Sequence, residues 1–296
     1  LLNIFFLSFK YFLFELNMIL GIFICFIFSL FNFFKIYSKV SAFVKFTDKL
    51  ISPGDLYDLL GDLSPEDDSK DGDSDKDLID GYGGDDTITG LGGNDILIGG
   101  NGNDNIAGGT DNDALYGDEG NDYIETGSGN DSAWGGNGND TIKSSSGTDV
   151  LDAGSGNNLI ELDYSEKSSV TSGAGDDIVK IKDGIDGGTF NLGNGNNEFT
   201  TTINIQNYSS GDGDDVLTIK GTGEPEGYLG GSAAQISTGG GNDTVIATGY
   251  IGYGGAYSRG TLWTGDGDDS ISTRRGSDTV FGGEGRDHIY SQRNET

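Results

Sequence analysis

The sequence predicts an all-β protein: a parallel solenoid of short repeats behind an apolar N-terminal segment. Three observations carry that expectation. A nine-residue unit is written eight times without a gap from Gly81 to Asp152, as GYGGDDTIT, GLGGNDILI, GGNGNDNIA, GGTDNDALY, GDEGNDYIE, TGSGNDSAW, GGNGNDTIK and SSSGTDVLD. AGSGNNLIE adds a weaker ninth copy. An aliphatic residue returns at the eighth place: Ile88, Leu97, Ile106, Leu115, Ile124, Ala133, Ile142, Leu151 and Ile160. A disordered Gly/Asp-rich tract would have no need of that periodicity. Finally, 53 glycines against 3 prolines in 296 residues favour many tight turns over helices.

The chemistry of one unit accounts for its length. Glycines, usual at the fourth place, turn the first half sharply. Turned backbone points carbonyl oxygens inward, and the sixth residue adds a carboxylate: Asp86, Asp95, Asp104, Asp113, Asp122, Asp131, Asp140 and Asp149. A flexible, oxygen-rich site of this kind suits a hard cation such as calcium. The last three residues form a short strand whose eighth residue faces inward. Two half-turns then close one coil of 18 residues, placing Asp86 over Asp104 and Asp95 over Asp113.

This pattern, G-G-x-G-x-D-x-U-x, resembles the RTX (repeats-in-toxin), hemolysin-type calcium-binding repeat family. The resemblance implies a calcium-stabilised parallel β-roll or β-helix of nonapeptide repeats. It also implies several bound Ca2+ ions, an extracellular or cell-surface location, and export by type I secretion machinery through an uncleaved C-terminal signal. No such segment is visible in the nine residues after Asp287, so the chain reads as a piece of a longer one.

Residues 1–46 stand apart. They hold 13 of the 16 phenylalanines, and apolar residues run almost unbroken from Met18 to Phe34. By length this could span a membrane. Three readings compete. One is a signal peptide from Met18 with Val40-Ser41-Ala42 as cleavage site, although no basic region precedes the apolar run. The second is a signal anchor; its following lysines would hold the repeats inside the cell, where calcium is scarce. The third is an AT-rich upstream region read in frame.

Residues 47–80 read as an acidic linker broken by Pro53, Gly54, Gly61 and Pro65. An EF-hand loop counted from Asp67 fails at its twelfth place, Leu78. Residues 81–161 form the regular roll. Over 162–263 the corners return at wider spacing, as SGAGDDIVK (Asp177), LGNGNNEFT (Asn197), SGDGDDVLT (Asp215) and TGGGNDTVI (Asp243). Alternating apolar residues such as Phe190, Leu192, Phe199, Ile203 and Ile205 flank them and predict longer β-helix rungs, with one edge keeping the acidic corner. Residues 264–296 return to nonapeptides at Asp269, Asp278 and Asp287. Asn158 and Asn197 lack the charge, which argues against calcium at their corners.

The net charge is −31, and with +3 in residues 1–46 the remainder carries about −34. Such a body does not seek nucleic acid and is repelled by anionic lipid. The one cysteine, Cys25, forms no intrachain disulfide, so bound calcium is the expected staple. Catalytic patterns are missing. One histidine, His288, excludes H-E-x-x-H, no serine lies in G-x-S-x-G, and no Ser-His-Asp set assembles around His288. The expected role is a calcium-binding β-roll module without its own catalysis. Alternatives are the accessory roll of a larger secreted protease, lipase or epimerase, or a glycan-binding adhesin using Tyr228, Tyr250, Tyr253, Tyr257 and Trp263. Packing of those aromatics on the wider rungs is the plainer account.

Overall fold

Glycine-rich half-turns leave each unit only a few extended residues, so the chain forms short strands and reverses after each. A computed structural model describes residues 64–185, 187–202, 205–220, 234–250, 260–275 and 279–291. All belong to the second of two compact units, Leu1–Leu56 and Tyr57–Thr296. The readings made for residues 1–46 therefore lie outside the described residues. Among the described residues no helix is long and apolar enough to cross a membrane.

The described residues form 23 strands, β1 (Ser69–Asp71) to β23 (His288–Ser291). Odd-numbered strands stack in chain order as one twelve-stranded sheet; even-numbered strands, β2 (Leu78–Asp80) to β22 (Thr279–Phe281), form the other, of eleven. Every pairing is parallel, and through the regular repeats the offset is 18 residues: Ile88 sits beside Ile106, and Leu97 beside Leu115. The architecture is a parallel β-solenoid of about ten turns.

The two sheets face each other across a narrow core. One row runs Ile88, Ile106, Ile124, Ile142, Ile160, Val179, Phe199, Leu217, Val245 and Ile271. The facing row runs Leu97, Leu115, Ala133, Leu151, Val170, Phe190, Tyr208, Ile236 and Leu262. All are buried. Where the rungs lengthen, aromatic side chains fill the wider core: the Phe199 ring lies 5.0 Å from Phe190 and 5.1 Å from Tyr208, tilted against both.

Close stacking of the turns constrains the backbone. Gly102 holds φ at +136°, and a Cβ there would stand 1.8 Å from the Gly84 carbonyl oxygen one turn away. Only glycine fits both limits.

The acidic linker expected over 47–80 is corrected at its C-terminal end. Residues 69–71 and 78–80 are strands of the two sheets, in register with Thr87–Thr89 and Ile96–Ile98. The nine-residue spacing extends backwards through Gly72, Asp77, Ile79 and Asp68. Lys70 in an aliphatic place and the surrounding acidic residues obscured it. Nor do the sheets break at 161 or 263, since strand order continues through both.

Phe199→Ala empties a site between two other aromatic rings. It should lower unfolding stability by about 3–5 kcal/mol, measured by chemical denaturation in calcium.

Candidate metal centre

The functional side chains sit at the corners where each half-turn enters a strand. The sixth-place carboxylate points into the turn and is almost wholly buried; Asp86, Asp104, Asp122 and Asp140 are 1–2 % exposed. Its two oxygens meet different fates. Oδ1 accepts the backbone N–H of the equivalent residue one turn earlier: Asp86 N–H to Asp104 Oδ1 at 2.8 Å, Asp104 to Asp122 at 2.8 Å, and Asp122 to Asp140 at 2.9 Å.

Along this edge the ladder continues unbroken through Asn158, Asp177, Asn197, Asp215, Asp243 and Asp269 to Asp287. It does so although the sequence separation swells to 28 and 26 residues. The added sequence leaves the corner contact in place. The opposite edge runs Asp77, Asp95, Asp113, Asp131 and Asp149, then ends when Asp149 N–H donates to Ser168 Oγ.

Oδ2 is the anomaly. At Asp86, Asp95, Asp104, Asp113, Asp122, Asp131, Asp140, Asp177, Asp215 and Asp269 it is buried with no hydrogen-bond partner. A buried, unsatisfied carboxylate oxygen is costly unless something positive answers it. Backbone oxygens face the same space. A Cβ placed on Gly81 would meet Asp86 Oδ2 at 2.3 Å and the Gly99 carbonyl oxygen at 2.4 Å. At Gly117 the distances are 2.4 Å to Asp122 Oδ2 and 2.5 Å to Gly135 O; at Gly135 they are 2.4 Å to Asp140 Oδ2 and 2.5 Å to Ala153 O. The first-place glycine thus keeps open a cradle lined by a carboxylate and a carbonyl from neighbouring turns. Among the described residues no three His, Cys, Asp or Glu side chains gather at one point. An all-oxygen set rich in carbonyls is what calcium accepts and zinc does not.

Burial shapes the electrostatics. It pushes Asp122 up to about 7; the Asp104 N–H opposes this, and the carboxylates of Asp140 and Asp104 add to it. Asp86 and Asp131 rise to about 6, again through burial first, with neighbouring carboxylates adding. Asp95, Asp104, Asp113 and Asp140 shift the same way. The uncompensated coil holds more negative charge than its interior tolerates.

Of the ligands expected from the sequence, Asp86 through Asp149, Asp177, Asp215, Asp243 and Asp269 all stand at buried corners. Asp287 is half-buried in the last described turn, and Asp278 lies outside the described residues. Two corner residues were missed. Asp77 N–H donates to Asp95 Oδ1, and Asp68 N–H donates to Asp86 Oδ1. Counting back by nine from Asp86 would have found both.

Also missed was an outer ladder at the fifth place, where Asn103 N–H bonds Asp85 Oδ1 and Asn121 N–H bonds Asn103 Oδ1. It runs opposite in sense to the inner one, and Asn or Asp at nearly every fifth place was its signal. At Asn158 the Nδ2 donates to the carbonyls of Gly156 and Ser172, and at Asn197 to those of Gly193 and Gly195. Amide protons answer the carbonyls there. The Trp263 ring stacks on Phe281 at 5.9 Å, while the side chains of Tyr228, Tyr250, Tyr253 and Tyr257 fall outside the described ones. His288 is exposed on β23.

The raised carboxylate pKa values set the pH response without calcium. Folded values near 6 to 7 exceed the ordinary 3.8, so the folded coil holds protons more tightly than the unfolded chain. The resulting stabilisation is complete below 3.8 and is lost as pH rises through 6 to 7. In chelator, the thermal midpoint should therefore rise on acidification from neutrality to about pH 5. Calcium should add less there, because it must displace those protons. A thermal scan at several pH values checks both.

Comparison with known families agrees with the site. The family model for the RTX calcium-binding nonapeptide repeat matches four times, at residues 71–106, 98–133, 125–160 and 259–292. Comparison with curated proteins gives no match. The first match begins inside the stretch read as linker, where the corner of Asp77 lies. Repeat spacing, buried corner carboxylates, glycine cradles and the family match agree: residues 71–160 and 259–292 match the RTX calcium-binding nonapeptide repeat, and the described coil has the architecture of an RTX β-roll.

Proposed function

We propose that this chain is the calcium-binding module of a secreted or cell-surface protein, that it folds when calcium binds, and that it has no catalysis of its own. One observation carries the reading: stacked Asp Oδ2 atoms are buried without hydrogen-bond partners beside backbone carbonyls. The residues proposed to hold the ions are those of the glycine corners, Asp86, Asp95, Asp104, Asp113, Asp122 and Asp140, with carbonyls such as those of Gly99, Gly135 and Ala153. Bound calcium supplies positive charge that turns carboxylate repulsion into attraction.

The protein's own residues prepare for this. The N–H to Oδ1 ladder holds each carboxylate in one orientation, and first-place glycines keep the cradle clear. Ions that bind only the folded coil add their binding free energy to its stability. Extracellular calcium modules typically bind at about 10⁻⁴–10⁻³ M. Turns held by ions of that affinity are loose where calcium is scarce and order outside the cell, which suits export through type I secretion machinery. The matched family is a calcium-binding repeat. Attachment to a larger enzyme is compatible with this role. A glycan role draws less support, since Trp263 packs its ring on Phe281.

Far-UV circular dichroism should lose β-sheet signal in chelator and regain it in millimolar calcium. Asp104→Ala removes both an Oδ1 acceptor and an Oδ2 ligand, so the calcium midpoint for folding should move upward. An unchanged midpoint would exclude Asp104 as a ligand. Asp122→Asn should raise stability in chelator and lower it in calcium relative to the parent, by the logic seen at Asn158.

A further inference from the structure

The corners are not alike along the chain. From Gly72 to Gly135 the first place is glycine at seven of eight units. Thr126 is the exception, and its hydroxyl is buried without a hydrogen-bond partner. Beyond Gly135 the chemistry of the corner changes.

Ser144 Oγ donates to Asp149 Oδ2, and Thr238 Oγ1 to Asp243 Oδ2. Ser172 Oγ donates to the Leu192 carbonyl at 3.0 Å, Ser210 Oγ to that of Thr238 at 3.2 Å, and Thr264 Oγ1 to that of Gly282 at 3.0 Å. Each acceptor is the first-place carbonyl of the next turn. That is the same carbonyl which, at Gly99, Gly135 and Ala153, faces an open cradle in the regular repeats. Between these corners stand Asn158 and Asn197, whose amides donate to carbonyls of their own turns and, for Asn158, to Ser172. Seven consecutive corners, from Asp149 to Asp269, therefore carry a protein proton donor where the earlier glycine corners leave space.

A hydroxyl or amide proton provides part of what a cation provides, a positive end directed at the oxygens, and its heavy atoms fill the space. At Asp177, Asp215 and Asp269 the hydroxyl serves the carbonyl and Oδ2 stays without a hydrogen-bond partner. Yet the Cβ and Oγ of Ser172, Ser210 and Thr264 still occupy the volume that glycine leaves open.

Resting on the calcium-binding role proposed above, we infer that the ions are confined to the glycine corners, and that the stack from Ser144 to Thr273 holds itself together without calcium. Asp149, Asp177, Asp215, Asp243 and Asp269 are then links in the backbone ladder and bind no ion. The self-sufficient stack is a ready-made end on which the calcium-dependent turns assemble, because β9 (Thr141–Ser144) and β10 (Val150–Ser155) offer strand edges to the turns before them.

Hydrogen exchange on the full chain, read by mass spectrometry in chelator and in millimolar calcium, tests this. Chelation should abolish protection across Thr87–Gly92 through Ser132–Asn137 and leave it across Ser169–Thr171 through Ser270–Thr273. Equal loss in both halves would overturn the inference while keeping the calcium-binding role. Loss in neither half would overturn both. A second arm uses Thr238→Gly, which removes the hydroxyl and opens a cradle at Asp243. Protection around Gln235–Ser237 and Thr244–Ala247 should then become chelator-sensitive and return with calcium. Protection in chelator equal to the parent's would show that the hydroxyl is not what replaces the ion.

Discussion

The solenoid depends on one contact, the backbone N–H of a corner residue bonded to the carboxylate or amide oxygen one turn later. It recurs from Asp68 to Asp287 along one edge and sets the height of each turn on the next. The same contact creates the central electrostatic difficulty. Each carboxylate spends one oxygen on the ladder and brings the other, with its charge, into a place water does not reach. A charge-assisted hydrogen bond is strong, but a buried carboxylate with half its acceptors idle is expensive. The corner must find a proton, a cation or a neutral substitute. All three answers are visible: raised pKa at Asp122, an open cradle at Gly81, and an amide at Asn158.

The other features follow from living with that ladder. The core between the sheets is one side chain deep on each side, so it gives little stability per residue and cannot by itself overcome the repulsion. The outer ladder of fifth-place Asn and Asp runs with opposite donor sense, later turn to earlier turn. Together the two ladders fix the turns from both directions, which explains why Asn-Asp recurs as a pair. Glycine at the fourth place is a steric demand of the same stacking, as Gly102 shows with a carbonyl where its side chain would be.

Variation in loop length does not disturb this edge. Between Asp215 and Asp243, and between Asp243 and Asp269, eight or more extra residues leave the ladder intact. In the sequence the added residues fall between an odd-numbered strand and the next even-numbered one, and the acidic row that precedes the even strands has already ended at Asp149 and Ser168. The ladder edge thus keeps its geometry whatever the sequence length between its corners.

The sequence alone determined the period, the two facing rows of aliphatic residues and the identity of the corner acids, because each is a local pattern that a fixed nine-residue spacing makes legible. It even placed the acidic corners of the wider rungs, since the turn chemistry is self-contained within six residues. Where local cues faded it fell short: Lys70 in an aliphatic place hid the first turn, and Asp77 and Asp68 with it. Only the tertiary structure decided how the two oxygens of each Asp are divided, which carbonyl from the next turn faces each cradle, and where Ser144, Ser172, Ser210, Thr238 and Thr264 close it. The carbonyl contacts of Ser172, Ser210 and Thr264 join residues 18 to 28 apart through stacking of whole turns, and no local spacing rule records whether a hydroxyl will find such a carbonyl or, as at Ser144 and Thr238, the carboxylate of its own unit.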